Sequence, residues 1–407
     1  MIGTKVDTKS YKTTSILKKQ NQFSIEDTLI THYEFLSKKN KKKAEMYFKE
    51  TLHNLNGFKS LTLEDAIQQY LFEIKAQVPF PGPKSGEEKF TFIDLFAGIG
   101  GFRLALQNLG GKCVFSSEWD KFSQQTYEAN FGEIPFGDIT NPETKSYIPK
   151  KFDLICGGFP CQPFSIAGVS KKLSLGRKHG FEDERQGNLF FHIAEIIATH
   201  RPRAFFLENV KNLVSHDKGN TFKVIKDTLV SLNYSFHYKV LDGKHFVPQH
   251  RERTFMVGFD KRIFKNQETF SFPDMPNTEQ KLKTILEKKV DPKYTLSDKL
   301  WNYLQNYAKK HQEKGNGFGF GIADLNGITR TISARYYKDG SEILIKQKDK
   351  NPRRLTPREC AFLQGYPSNF IIPVSDNQAY RQFGNSVVVP LIKSIGKKVI
   401  ETLQSQP

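Results

Sequence analysis

The sequence predicts an α/β protein: a mostly parallel β-sheet covered by helices on both faces, joined to a second, smaller domain and a helical N-terminal extension. Three observations carry this. From residue 90 onward, short apolar runs alternate with amphipathic stretches, the pattern of buried strands and crossover helices. Between about 263 and 372 that rhythm gives way to polar, Lys-rich, Gly-punctuated sequence such as GNGFGFG (315–321). Ahead of residue 85, apolar residues instead recur at three- and four-residue intervals, the helical period.

Taken in order, IEDTLITHYEFLSKK (25–39), KKKAEMYFKETLHNL (41–55) and TLEDAIQQYLFEIKA (62–76) read as helices, the last opening on Thr62 with Asp65 three residues on. VPFPGPKSGEEK (78–89) reads as a linker, so the extension spans 1–85. FTFIDLFAG, KCVFSSEWD, FDLICGGFP, RAFFLENV and FMVGFD then read as strands, with a helix at GNLFFHIAEIIATH (187–200), and together they define a first domain over 90–262. The second domain covers 263–372, and QAYRQFGNSVVVPLIKSIGKKVIETL (378–403) reads as a loop and a helix within a C-terminal segment, 378–407, returning to the first domain.

Composition narrows the function classes. The chain has 407 residues, enough for two or three domains. Its net charge is +18, from 61 basic and 43 acidic residues, which suits a polyanionic partner, nucleic acid first, because phosphate contacts release counterions. A Lys-rich surface without such a role remains the alternative. Cys113, Cys156, Cys161 and Cys360 form no CxxC pair and no metal-spaced cluster, and no long apolar run appears. A reducing, cytoplasmic setting without metal or membrane is expected.

Two motif groups suggest chemistry. FTFIDLFAGIGGFRLAL (90–106) is an apolar strand, a turn with Gly98, Gly100 and Gly101, and a helix start. Glu118 ends the next strand, where doubly wound folds place a ribose-binding carboxylate, and Asp138 is placed to read an adenine amino group. The turn lacks the GxGxxG spacing that seats a pyrophosphate, so a phosphate-free nucleoside such as S-adenosylmethionine fits better than a dinucleotide. Cys161 in GGFPCQPFS is open to two readings, an apolar filler or a nucleophile on a loop. Glu208, after four apolar residues, is a carboxyl whose pKa burial should raise, and Arg251 and Arg253 alternate on one strand start. A thiol, a proton-sharing carboxyl, two arginines and a nucleoside cofactor together suggest covalent catalysis on an electron-poor ring. The filler reading suits Cys156 better, five residues upstream in an apolar run.

With these residues in place, the chain resembles the DNA cytosine-5 methyltransferases. FIDLFAGIGGF, GGFPCQPFS, LENVKNL, QHRERTFMVGF, RRLTPRECAFLQGYP and QFGNSVVVP match that family's motifs in order, and GVSKKLSLGRKHGF, SHDKGNTF and ARYYKDGSEILI resemble its Dcm-like bacterial branch. The resemblance implies a Rossmann-like S-adenosylmethionine-dependent methyltransferase sheet with a smaller target-recognition domain. It implies that a flipped cytosine is attacked at carbon 6 by Cys161, with Glu208 at N3 and the exocyclic amine, Arg253 nearby, and Arg251 orienting loop and substrate. Phe96, Gly98, Gly100, Glu118, Trp119, Asp138, Ile139, Pro160, Leu189, Asn385 and Val387 would line the cofactor site, with Trp119 stacked on adenine or, alternatively, merely in the core. Gln162 and Ser165 would sit on the loop that closes over DNA, while Arg330, Arg335, Tyr336 and Lys338 would contact DNA from the recognition domain.

The implied role is host protection beside a cognate restriction endonuclease, as a monomer acting on duplex DNA at a CC-containing palindrome such as CCWGG. A tRNA cytosine-5 methyltransferase, a silent DNA-binding accessory protein and a nicotinamide-dependent oxidoreductase are the rivals, disfavoured respectively by the variable domain, by the intact Cys161 and Glu208, and by the missing pyrophosphate turn.

Overall fold

The computed structural model describes residues 78–84, 86–160, 189–315 and 319–405, and the helices expected between 25 and 76 lie outside them. Strand β1 (Phe90–Leu95) is followed by α1 (Gly101–Gln107), β2 (Gly111–Ser117), α2 (Lys121–Phe131), α3 (Pro142–Ser146) and β3 (Leu154–Gly158). Next come α4 (Leu189–His200), β4 (Ala204–Val210), α5 (Asn220–Ser231), β5 (His237–Asp242), β6 (Glu252–Phe259) and α6 (Lys261–Phe264). Helix α7 (Asp298–Glu313), a ribbon of β7 (Leu344–Gln347) and β8 (Lys350–Arg354), then α8 (Pro357–Leu363), α9 (Asp376–Asn385) and α10 (Val389–Gln404) complete the described chain.

The main sheet has six strands in the order β2-β1-β3-β4-β6-β5. Strands β2, β1, β3 and β4 pair in parallel, whereas β6 runs antiparallel to both β4 and β5, so the sheet is mixed. Edge strand β5 was not anticipated from sequence: Tyr238 and Lys239 are exposed and of its six residues only Leu241 is buried, without the continuous apolar run that marks a central parallel strand.

Strand alternation builds two cores from one sheet. Phe92, Cys156, Phe206 and Val257 face one side, where they meet α1 and α10. Their neighbours Ile93, Ile155, Phe205 and Met256 face the other, where they meet α4 and α5. The first cluster continues without a break through Phe270, Leu282, Ile332, Tyr336 and Leu355, so residues beyond 263 share their packing with the sheet. A satellite of Leu296, Leu304 and Leu344 holds α7 against the ribbon. Each such large side chain contributes roughly 1.5–3 kcal/mol when fully buried.

The C-terminal stretch is two helices. Helix α10 buries Leu391, Ile392, Ile395 and Val399, and Gly396 lets it approach Leu106 and Leu109 beside α1. The stretch read as a linker is irregular, yet Val78 is buried, Phe80 rests between Phe131 and Phe370, and its amide donates to the Asn130 carbonyl. Helix α8 starts on a capping box, with Thr356 and Glu359 exchanging hydrogen bonds, and Pro357 occupies the first turn where its missing N–H costs nothing.

Candidate active site

The sequence-predicted residues of the sheet gather at the carboxyl ends of β1, β2, β3 and β4, where open α/β sheets hold ligands. After β1 the chain makes a tight turn with Phe96 at φ 53°, Gly98 at 55° and Gly100 at 82°. A left-handed phenylalanine is a strained conformation, of the kind that clusters at ligand sites. Gly100 is required because a Cβ there would enter the Phe131 ring, and a Cβ on Gly101 would lie 2.6 Å from Val387 and 2.8 Å from the Tyr366 hydroxyl. The turn is therefore closed on one side by the loop carrying Val387.

Glu118 fastens the turn to β2. Its carboxylate accepts from the Gly98 amide and from the Asp120 amide, each at 2.8 Å. Burial pushes its pKa up to about 6, against those two hydrogen bonds. The next residue, Trp119, is 76% exposed, which rules out a core-packing role and leaves its ring open to solvent. Ile139 is buried and Asp138 exposed, the latter accepting from the Thr140 amide. Pro160 and Asn385 are exposed, Leu189 is half-buried at the start of α4, and Val387 is buried against Gly101. Arg103, the basic residue nearest the turn in sequence, is buried and directed at Glu133 (2.5 Å) and Tyr127 (3.1 Å).

Beneath the turn lies a residue that sequence reasoning passed over. Asp94, within β1, is buried, and burial pushes its carboxyl well above the ordinary range. One oxygen has no hydrogen-bond partner, while the other lies 3.9 Å from the Cys156 thiol. A carboxyl inside the apolar run FIDLF is costly unless it has a task, and that signal was present in the sequence. Cys156 itself is fully buried and donates to the Ile93 carbonyl at 3.3 Å; burial pushes its pKa up, as expected of an inert filler. Burial likewise pushes the Cys113 thiol up to about 12.

At the ends of β3 and β4 the chemistry becomes polar. Gly158 pairs with Glu208 across parallel strands, and a Cβ on Gly158 would lie 3.0 Å from the Glu208 carboxylate. Glu208 meets the Arg253 Nε at 3.0 Å, reaching from antiparallel β6. Burial raises the Glu208 pKa, with Arg253 and Arg251 pulling it back. The proton affinity of this carboxyl is therefore set jointly by its burial and by the two guanidinium groups. Asn209, also missed, turns inward and donates to the Phe159 carbonyl at 2.8 Å, tying β4 to the segment two residues before position 161. Cys161, Gln162 and Ser165 lie outside the described residues.

Arg251 and Tyr336 are both buried. Arg251 is buried and spends its guanidinium on main-chain carbonyls of Ile332 (3.1 Å), Gly384 (3.0 Å) and Ser386 (2.5 Å), so it clasps backbone instead of facing an open site. Burial and the neighbouring Arg253 pull its pKa to about 9, still protonated at neutral pH. Tyr336 is 1% exposed, with its hydroxyl donating to the Ile343 carbonyl and accepting from the Leu355 amide. It is a core residue: the turn over 334–339 places its ring against Tyr380. Arg330, Arg335 and Lys338 are exposed around it. Among the described residues no cluster of His, Cys, Asp and Glu is arranged to hold a metal, and no helix is long and apolar enough to cross a membrane.

Solved structures share the fold: an insect DNMT2 mutant from Spodoptera frugiperda superposes with a TM-score of 0.58 at 20% identity, covering 76% of this chain and 99% of that one. A putative DNA modification methyltransferase encoded within an E. coli prophage gives a TM-score of 0.55 at 23% identity, covering 78% of this chain and 100% of that one. In sequence, the type II methyltransferase M.SsoII of Shigella sonnei is 53% identical over 340 residues, 82% of this chain and 87% of that protein. The DNA-cytosine methyltransferase of Escherichia coli (strain K12) is 46% identical over 380 residues, 80% of each. The family described as C-5 cytosine-specific DNA methylase matches residues 90–401. The chain therefore belongs to the C-5 cytosine-specific DNA methylases and is a DNA (cytosine-5-)-methyltransferase.

Proposed function

We propose that the protein uses S-adenosyl-L-methionine to methylate carbon 5 of one cytosine within a specific site in duplex DNA, as the modification enzyme of a restriction–modification pair. The observation that carries this reading is the pair of buried Glu208 and half-buried Arg253 at 3.0 Å, set over Gly158, which lies three residues before Cys161.

In this reading a cytosine is flipped out of the duplex, because neither face of its ring is reachable in the stack. The Cys161 thiolate bonds to carbon 6. Glu208 holds N3 and the exocyclic amine, and Arg253 offsets the negative charge that the addition pushes onto the ring. Carbon 5, now electron-rich, accepts the methyl group; loss of its proton then restores the double bond and expels the thiolate. The cofactor supplies an electrophilic methyl group on its sulfonium. Phe96, Gly98, Gly100, Glu118, Trp119, Asp138, Ile139, Pro160, Leu189, Asn385 and Val387 are the residues proposed to hold it, with the Glu118 carboxylate accepting from ribose and the open Trp119 face covering the adenine.

Duplex recognition falls to 263–372, with Arg330, Arg335 and Lys338 offered to base edges or phosphates, and the exposed basic side chains are consistent with the chain's net charge of +18. A CC-containing palindrome such as CCWGG is the proposed target class. The relatives named as type II methyltransferases support the pairing with a separate endonuclease. Bisulfite sequencing of host DNA with and without the gene tests the reading: 5-methylcytosine confined to one short context is expected, and methylation of tRNA alone would overturn it.

A further inference from the structure

The start of β6 does more than deliver Arg253. Residues 248–251 run beside 329–332, with the Thr329 amide donating to the Pro248 carbonyl and the His250 amide to the Thr329 carbonyl, while the Thr331 hydroxyl reaches the His250 carbonyl. Ile332 is then gripped on both sides: its amide donates to Gln249 Oε1 at 2.8 Å, and its carbonyl accepts from Arg251. The same Arg251 guanidinium holds the carbonyls of Gly384 and Ser386, which flank Asn385 at the end of α9, where the chain enters the loop that closes the glycine turn. From there the Ser386 hydroxyl meets the Tyr366 hydroxyl at 2.7 Å, and that oxygen lies against Gly101 at the start of α1. Gln249 completes the bracket by donating to the Leu363 carbonyl, at the end of α8.

We propose that Arg251 is a positioning residue that braces the DNA-recognition segment at Ile332 and the cofactor loop at Gly384 and Ser386 against the strand carrying Arg253. Sequence discrimination and cofactor affinity then depend on one side chain that touches neither ligand. The fork of a guanidinium is required for this: three carbonyls in different directions can be met by its planar donors but not by the single ammonium of lysine at the end of a flexible stem. Two carbonyls left buried and unpaired would let both segments shift. A brace of this kind fixes where recognition side chains stand relative to the reacting carbon, a placement in which small displacements cost much of the rate.

The inference rests on the proposed assignment of S-adenosylmethionine and of residues 263–372 to recognition, and the test separates the two. Wild-type protein and Arg251→Lys are compared by calorimetric titration with S-adenosylmethionine and by bisulfite sequencing of one genomic DNA, reading methylation at the preferred context against contexts differing at one base. Arg251→Lys is expected to raise the cofactor Kd about tenfold, the scale of one lost charged hydrogen bond, and to narrow the ratio between contexts at least several-fold. Leu229→Ala, buried in the opposite core cluster, supplies a destabilised control in which neither quantity moves. Should Arg251→Lys not fold, Thr331→Val loosens the seam from its part-exposed side and is expected to narrow the context ratio while leaving the cofactor Kd unchanged. An unaltered context ratio in either folded variant, or equal shifts in Leu229→Ala, overturns the bracing role. A wild-type protein that binds no S-adenosylmethionine, or leaves no 5-methylcytosine, overturns the underlying reading instead.

Discussion

Glu208 and Arg253 meet at 3.0 Å from neighbouring antiparallel strands, both largely withdrawn from solvent. The carboxyl is raised by burial and held down by the guanidinium, so its proton affinity is set by a pair and not by one residue. Removing the carboxylate leaves the partly buried Arg253 guanidinium without its charged partner, holding the Glu252 carbonyl. Glu208→Gln is expected to lower kcat by about 10² to 10⁴, the usual range for a positioned acid or base, with cofactor Kd within about threefold of wild type. Single-turnover methyl transfer measures the first and calorimetry the second; an unchanged rate removes Glu208 from the chemistry.

Cys161→Ser is expected to abolish methyl transfer and to retain cofactor binding, because a serine hydroxyl is a far weaker nucleophile than a thiolate at neutral pH. Trapping on DNA bearing a 5-fluorocytosine gives the direct readout: a covalent complex with wild type and none with the variant. Residual full activity would exclude the covalent route.

Gly158→Ala probes the floor beneath Glu208. The new methyl would lie 3.0 Å from the carboxylate oxygen, so the side chain must move by a few tenths of an ångström. A fall in kcat of about tenfold is expected, equivalent to about 1.4 kcal/mol of transition-state stabilisation, with little change in Tm. An equal loss in Glu208→Gln and in the double variant would show that the glycine acts through Glu208.

Glu118 gives a pH signature. Its pKa is about 6, raised above the ordinary 4.5 by burial. If ribose is bound by the ionised carboxylate, cofactor Kd rises as pH falls through about 6, approaching tenfold per unit below it, while Glu118→Gln flattens the profile. Stability runs the opposite way. The folded state binds the proton more tightly than the unfolded chain, so this contribution is fully present below 4.5 and is lost as pH rises through about 6. Calorimetric titration and thermal melts over pH 5 to 8 check both slopes, and a flat binding profile would detach Glu118 from the cofactor.

Much of the fold was legible locally. The apolar runs ending in Leu95, Ser117, Gly158 and Val210 became parallel strands because such runs can be buried on both faces, and the glycines after β1 marked a turn whose space the Phe131 ring and Val387 now fill. Edge strand β5 was not legible, since its half-exposed residues lack that pattern. Asp94 and Asn209 were overlooked for a different reason: each sits beside a more conspicuous motif residue, and its role depends on what lies across the sheet.

The sequence by itself determined the chemical groups available and their order along the chain: a thiol, a carboxyl, two arginines and a glycine turn, each at the end of an apolar run. Only the tertiary structure decided how the two arginines divide. Arg251 and Arg253 differ by one strand step in sequence, yet one is buried under three carbonyls from distant segments and the other meets Glu208. It likewise took Tyr336 out of the DNA-facing set and left Trp119 open. Burial and hydrogen-bond partners are set by residues from 7 to 135 positions away, and periodicity within a strand carries no information about them.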